Sequence, residues 1–371
     1  MRLLFNDLIT LRERSGVGAY AFHLLEHLPR EAKDLSLIRL SETLSGLPLK
    51  LLSAKLPSGK SSGAKSKWKS YAQKVVSQYV RLSSAWQSYD LYHEPDALAL
   101  PIAAPTAVTV HDLSVSLFPN WHPEYRVRNY EAQLERTLQV ARHFFADSMA
   151  TKNDMQKYWR VSPEKIDVIP LAPRPMFRRL SAHELSQTAL PKTPSGKYFL
   201  FVGTLEPRKN VKGLIRAYRS LDASLREQYP LFLAGGRGWK NEDLSPLFGN
   251  DVRWLGYVSD KDLVPLMNGA LAMVYPSFYE GFGLPPLEAM ACGVPVISSH
   301  RGSLKEVVGP AVYVIEPEDE TQIAKAMAAV ACDEALRKNL VESANSHLKN
   351  FSWEVTARQT IAGYRKALCD G

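Results

Sequence analysis

Cysteine is scarce: Cys292, Cys332 and Cys369 are the only three, an odd number, and no CxxC pair occurs. That excludes a disulfide-stapled scaffold and a cysteine-ligated zinc module, and it fits a reduced compartment. Long apolar runs are also lacking. The longest uncharged apolar stretch, residues 97–110, is too short to cross a bilayer and contains Pro101 and Pro105. At the N-terminus Asp7 interrupts the apolar residues before a signal-peptide core can form. The expectation is a cytoplasmic protein, at most peripheral at the inner face of the membrane.

Acidic residues are missing from one long segment. Residues 43–89 hold no Asp or Glu but eight basic side chains, the last seven running from Lys55 to Arg81 after Lys50. The whole chain carries a formal net charge of +8, so this segment accounts for all of it and the rest is balanced. Trp68, Tyr71, Val75, Tyr79, Leu82 and Trp86 recur there at spacings of three and four, a helical stripe beside a basic face. Two readings stay open. The stripe packs on the domain core and the lysines are solvated, or segment 50–81 meets anionic lipid headgroups or a phosphorylated acceptor. Nucleic acid is not expected, since no nucleic-acid module accompanies the basic patch.

What is present is alternation. With 371 residues, the chain is long enough for two domains. Short runs rich in Val, Ile and Phe fall at residues 2–5, 106–110, 143–146 and 166–169. A second set falls at 198–202, 231–234, 252–255, 271–275, 294–298 and 312–315. Helical patterns such as 211–220 and 320–331 lie between them. Strand alternating with helix predicts α/β architecture with parallel sheets covered on both faces. Residues 170–196 hold five prolines and no clean period, which reads as a connection. The expected division is a first doubly wound, Rossmann-like domain over 1–175, a linker over 176–196 and a second such domain over 197–351. Two such halves imply a cleft, and ligands of open α/β sheets bind beyond the carboxyl ends of the strands.

The residues just after those runs are chemically suggestive. Gly203 ends one strand and leads to Arg208 and Lys209 before a helix, a seat for a diphosphate. A second strand ends at Tyr275 and opens the loop Glu280-Gly-Phe-Gly-Leu284. Pro285 and Pro286 then suit a first helical turn and Gly293 its C-terminal cap. A glycine loop opening a helix offers free N–H groups to an anion. Glu280 and Glu288 frame it, eight positions apart. His111 ends the run 106–110, and Asp112 is placed to cap the next turn. Near the N-terminus, Gly16-Val17-Gly18 joins the first strand to a helix, a weak phosphate-loop signal.

Together these residues resemble a retaining glycosyltransferase of family 4, with the two-Rossmann GT-B fold. The likeness is strongest over residues 198–317, and the Glu280-to-Glu288 spacing is its most specific element. The resemblance implies that Arg208 and Lys209 bind the diphosphate of a nucleotide sugar and that Glu288 holds the ribose hydroxyls. Glu280, with the backbone of Phe282, Gly283 and Leu284, would grip the donor sugar. Gly16, Val17 and Gly18 would line the diphosphate from the first domain, His111 would touch the sugar, and Val258 would lie against the base. Residues 352–371 would form a last helix that packs back on the first domain.

The sequence His111-Asp-Leu…Trp121-His-Pro…Arg126-Val-Arg128 resembles bacterial mannosyltransferases of surface polysaccharides. It implies GDP-mannose as donor and a saccharide or lipid-linked acceptor. No Asp-x-Asp metal motif follows a strand at this site, so no metal and no cofactor beyond the nucleotide sugar is expected. Front-face attack, with the departing phosphate taking the acceptor proton, is the expected route to retention; Glu280 as covalent nucleophile is the alternative. A nucleotide-sugar 2-epimerase would share the same cleft, and so would a non-catalytic sugar-nucleotide-binding subunit.

Overall fold

The computed structural model describes residues 1–11, 16–43, 89–188, 197–239 and 244–369. The basic segment 50–81 lies outside the described residues, and so does any structural test of its two readings.

Among the described residues, twelve strands form two parallel six-stranded sheets. The first contains β1 (Arg2–Phe5), β2 (Ser36–Arg39), β3 (Leu91–Glu94), β4 (Thr106–Val110), β5 (Ala141–Ala146) and β6 (Ile166–Val168). The second contains β7 (Phe199–Val202), β8 (Leu231–Ala234), β9 (Val252–Gly256), β10 (Ala272–Tyr275), β11 (Val296–Ser299) and β12 (Tyr313–Ile315). Their orders are β2-β1-β3-β4-β5-β6 and β12-β11-β10-β7-β8-β9. The interior strands β4, β7, β8, β10 and β11 are buried at every residue, and β7, β8 and β10 accordingly read as unbroken apolar runs.

Two strands have no apolar signature. Edge strand β2 is exposed at both ends and half-buried only at Leu37 and Ile38. Strand β3 buries His93 and Glu94, which are polar but satisfied: His93 bonds Tyr364 and Thr109, and Glu94 accepts from Asn6 and Tyr92. Periodicity alone passes over both.

The connection is more ordered than its prolines suggest. Ser181 and Glu184 form a reciprocal capping box that starts the short helix Ala182–Ser186. The linker expected over 176–196 contains this one short helix among its described residues; residues 189–196 lie outside them.

The last helix, Trp353–Cys369, buries Trp353, Thr356, Thr360, Ile361 and Tyr364. It lies on the first sheet: Tyr364 bonds His93 at 2.6 Å and Lys366 bonds Asp167 at 2.6 Å. Trp353 and Thr356 also donate to the carbonyls of Pro173 and Pro170. One apolar cluster therefore runs from Leu3, Tyr20 and Phe145 through Phe177 and Tyr364 into the second sheet. Among the described residues no helix is long and apolar enough to cross a membrane.

Candidate active site

In the second sheet the strand order reverses between β7 and β10, so the segments leaving these strands lie side by side at the carboxyl edge. From β7 come Glu206, Arg208 and Lys209; from β10 come Tyr275 and Glu280. They make one network. Arg208 donates to Glu206 at 2.6 Å, to Glu280 Oε2 at 2.5 Å and to the Tyr279 carbonyl at 3.2 Å. Lys209 donates to Glu280 Oε1 at 2.5 Å and to the Tyr275 hydroxyl. Each oxygen of Glu280 thus holds one cation.

Lys209 and Glu280 are buried, with 6% and 5% exposure, so the pairing is barely screened. Burial works to raise the Glu280 carboxyl, but Arg208 and Lys209 outweigh it and hold it below the ordinary carboxylate range. Burial and the Arg208 charge pull the Lys209 ammonium below its ordinary value.

The loop after Glu280 is shaped by close approach. A Cβ on Gly281 would stand 1.7 Å from the His111 carbonyl oxygen of the first lobe. Only glycine lets the two backbones come this near. Gly283, at φ +106°, turns the chain into the helix Leu284–Ala291, with Pro285 and Pro286 in its first turn. Gly293, at φ +72°, follows its end.

Other contacts hold the lobes face to face there. The Thr151 hydroxyl is 3.3 Å from both the His111 and Gly281 carbonyls. Glu306 accepts from the backbone N–H groups of Met149 and Ala150, both at 2.9 Å. Tyr279 donates to Asp154 at 2.8 Å, and Trp239 donates to the Trp121 carbonyl at 2.9 Å.

His111 leaves β4 on the first-lobe side. Its Nδ1 meets Asp147 at 2.6 Å and its Nε2 meets the Pro95 carbonyl at 2.9 Å. The Pro95 carbonyl only accepts, so Nε2 carries a proton; Nδ1 donates to Asp147 when that carboxyl is ionised, which burial opposes and His111 favours, and the ring is then an imidazolium. Burial pulls its pKa down, but Asp147 overrides and pushes it up to about 9. Asp112 caps the following turn, accepting from Ser114 N–H at 2.8 Å.

Glu288 belongs to a different set. Arg174, from the connection, donates Nε to Oε1 at 2.5 Å and Nη2 to Oε2 at 3.2 Å. Its Nη1 reaches Asp260 at 2.7 Å. Val258 is half-buried two residues before Asp260. Gly203 adjoins Phe201 and Lys209, and its N–H donates to the Ala234 carbonyl. Gly16, Val17 and Gly18 form the first turn of helix Gly16–Glu31, and residues 12–15 before them lie outside the description.

The structure therefore joins Arg208, Lys209 and Glu280 directly and sets Gly281 against His111. It assigns Glu288 to Arg174 and Asp260, and no bond among the described residues links the Gly16–Gly18 turn to either set. Sequence reading passed over Glu206, Tyr275, Asp147 and Arg174. Asp147 follows strand β5, so the strand-end rule that singles out His111 reaches it too. Arg174 sits among prolines with no period and gives no such signal.

A model described as Glycosyltransferase Family 4 matches residues 14–172, and one described as Glycosyl transferases group 1 matches residues 184–347. The chain is 34% identical to O-antigen chain mannosyltransferase B of Escherichia coli, over 95% of this chain and 96% of that one. Among solved structures, sucrose-phosphate synthase from Thermosynechococcus elongatus superposes with a TM-score of 0.72 at 18% identity, covering 100% of both chains. Anabaena HepE in complex with UDP-glucose superposes with a TM-score of 0.69 at 19% identity, covering 98% of each. With both halves matched and a relative alike over nearly its whole length, the chain belongs to the family 4 glycosyltransferases and has their two-domain GT-B fold.

Proposed function

We propose that the protein transfers mannose from GDP-mannose, with retention, to a saccharide or lipid-linked saccharide in surface polysaccharide synthesis. The observation that carries the transferase reading is the Glu280 carboxylate bridging Arg208 and Lys209 at the β7–β10 switch point. Mannose rests on the name of the Escherichia coli relative, alike across 95% of this chain.

In this reading Arg208 and Lys209 face the diphosphate and stabilise the charge that develops as the anomeric bond breaks. The reaction needs no metal, because two side-chain cations and the N–H groups at the Gly283–Leu284 turn neutralise the leaving group. Glu280 orients the donor sugar, Glu288 takes the ribose hydroxyls and Val258 packs on the base. The His111 imidazolium on the opposite lobe is charge-balanced by Asp147, so it contributes a fixed, polarised ring rather than net positive charge. Its two N–H groups are already committed, so it acts neither as a base nor as a proton relay.

Front-face attack fits Glu280 better than covalent catalysis. A carboxylate with a cation on each oxygen, held below its ordinary pKa, is a poor nucleophile. The departing phosphate takes the acceptor proton instead.

The test is to incubate purified protein with GDP-mannose and a mannose-terminated oligosaccharide. The expected result is one α-linked mannosyl product per GDP released. Transfer of a β-linked residue rejects retention. Catalytic conversion of the donor without acceptor favours an epimerase.

A further inference from the structure

We infer that Arg174 is a positioning residue that sets the Glu288 carboxylate to receive the two ribose hydroxyls of the nucleotide. This rests on the reading of Glu288 given above.

Glu288 is 2% exposed and Arg174 8%, so the pair is withdrawn from solvent. A lone buried carboxylate would be costly and free to rotate. Arg174 meets it with two N–H groups, one on each oxygen, and this forked pairing fixes the plane of the carboxylate as well as its charge. A carboxylate has about four acceptor sites, two per oxygen. The fork takes one on each oxygen and the Arg174 main chain adds a further bond, so Arg174 decides which remaining acceptor sites can face the ribose hydroxyls.

The guanidinium is itself fixed. Asp260 holds Nη1 at 2.7 Å, and the Phe177 ring lies 4.5 Å from the guanidinium carbon. The backbone just before Arg174 is tied to the last helix, since Trp353 donates to the Pro173 carbonyl. A lysine could supply the charge but not the fork. The residue thus does more than neutralise a buried acid.

The experiment compares binding of GDP and 2′-deoxy-GDP, and of UDP and 2′-deoxy-UDP, by calorimetry on the full chain. A hydrogen bond to a charged acceptor makes the ribose form bind roughly tenfold to a hundredfold tighter in wild-type protein. In Arg174→Gln and Arg174→Lys that preference is expected to fall to about twofold or less. Asp260→Asn, which frees one side of the guanidinium and leaves the fork in place, is expected to lose part of it. Variants that bind both forms more weakly by the same factor, with the preference intact, overturn the positioning role and leave a structural one. Should the arginine variants fail to fold, an undiminished preference in Asp260→Asn overturns it alone. Wild-type protein that binds neither diphosphate overturns the donor reading, and this assignment with it.

Discussion

Lys209→Met isolates the cation at the centre of the site. The side chain is 6% exposed and its partner Glu280 5%, so the change opens a buried pair. Removing one partner of such a pair costs roughly 3–5 kcal/mol of stability. Arg208 still holds the other Glu280 oxygen at 2.5 Å, so the lower end, about 3 kcal/mol, is expected. Turnover should fall separately. Loss of one preorganised donor to a developing oxyanion costs roughly 2.7–4 kcal/mol, about a hundredfold to a thousandfold in kcat.

The double variant Lys209→Met/Glu280→Gln separates the two effects. With no orphaned carboxylate, stability should return to within about 1 kcal/mol of wild type, because neutral replacement of a buried pair is often tolerated. Turnover should stay depressed. Urea denaturation and initial-rate kinetics on the three proteins supply the readings. A single variant within about threefold of wild-type kcat, or a double variant that regains turnover along with stability, would refute the assignment and make Lys209 a structural counter-ion.

Three further outcomes follow from other contacts. Gly281→Ala places a Cβ 1.7 Å from the His111 carbonyl and 2.7 Å from Asp112 Cβ. Forcing the lobes apart by about an ångström should lower kcat on the order of a hundredfold, with far-UV circular dichroism unchanged. For His111, the folded pKa of about 9 exceeds the unfolded value of about 6.5. Its contact with Asp147 therefore contributes fully below pH about 6.5 and is lost as pH rises through about 9. In Asp147→Asn, burial prevails and the NMR titration midpoint of His111 should drop below about 6.5; an unmoved midpoint contradicts the pairing. Tyr364→Phe leaves buried His93 Nδ1 without its partner and should cost about 1–3 kcal/mol in urea denaturation. No loss there would mean the hydroxyl adds nothing to docking of the last helix.

Sequence carried the second lobe further than the first. Strands β7 to β12 are mostly interior to their sheet and read as apolar runs, and Gly203, Gly281 and Gly283 mark their exits. The first lobe conceals its strands: β2 is an edge exposed at both ends, and β3 is Leu-Tyr-His-Glu, polar in composition yet buried through side-chain bonds. Strand-end placement singled out Arg208, Lys209, Glu280 and His111, and the structure places the first three in one bonded network. Placement alone could not say that Glu280 joins the first two, because that depends on β7 and β10 being neighbours in space, 72 residues apart across the Arg208–Glu280 bond. Arg174 was illegible for a related reason. Its role comes from where the connection crosses the second lobe, and proline-rich chain carries no period from which that crossing can be read. Gly16 and Gly18 fall in the first turn of helix Gly16–Glu31, as a glycine segment leading from strand to helix would, and residues 12–15 before them lie outside the described residues.

The central claim is that Arg208 and Lys209 seat a nucleotide diphosphate. Calorimetric binding of GDP and GMP to wild type, Arg208→Ala and Lys209→Ala tests it most directly. GDP is expected to bind wild type at least about tenfold tighter than GMP, as charge-assisted bonds to the β-phosphate require, and either substitution is expected largely to erase the difference. Equal affinity of wild type for GDP and GMP, or a preference untouched by both substitutions, would contradict it.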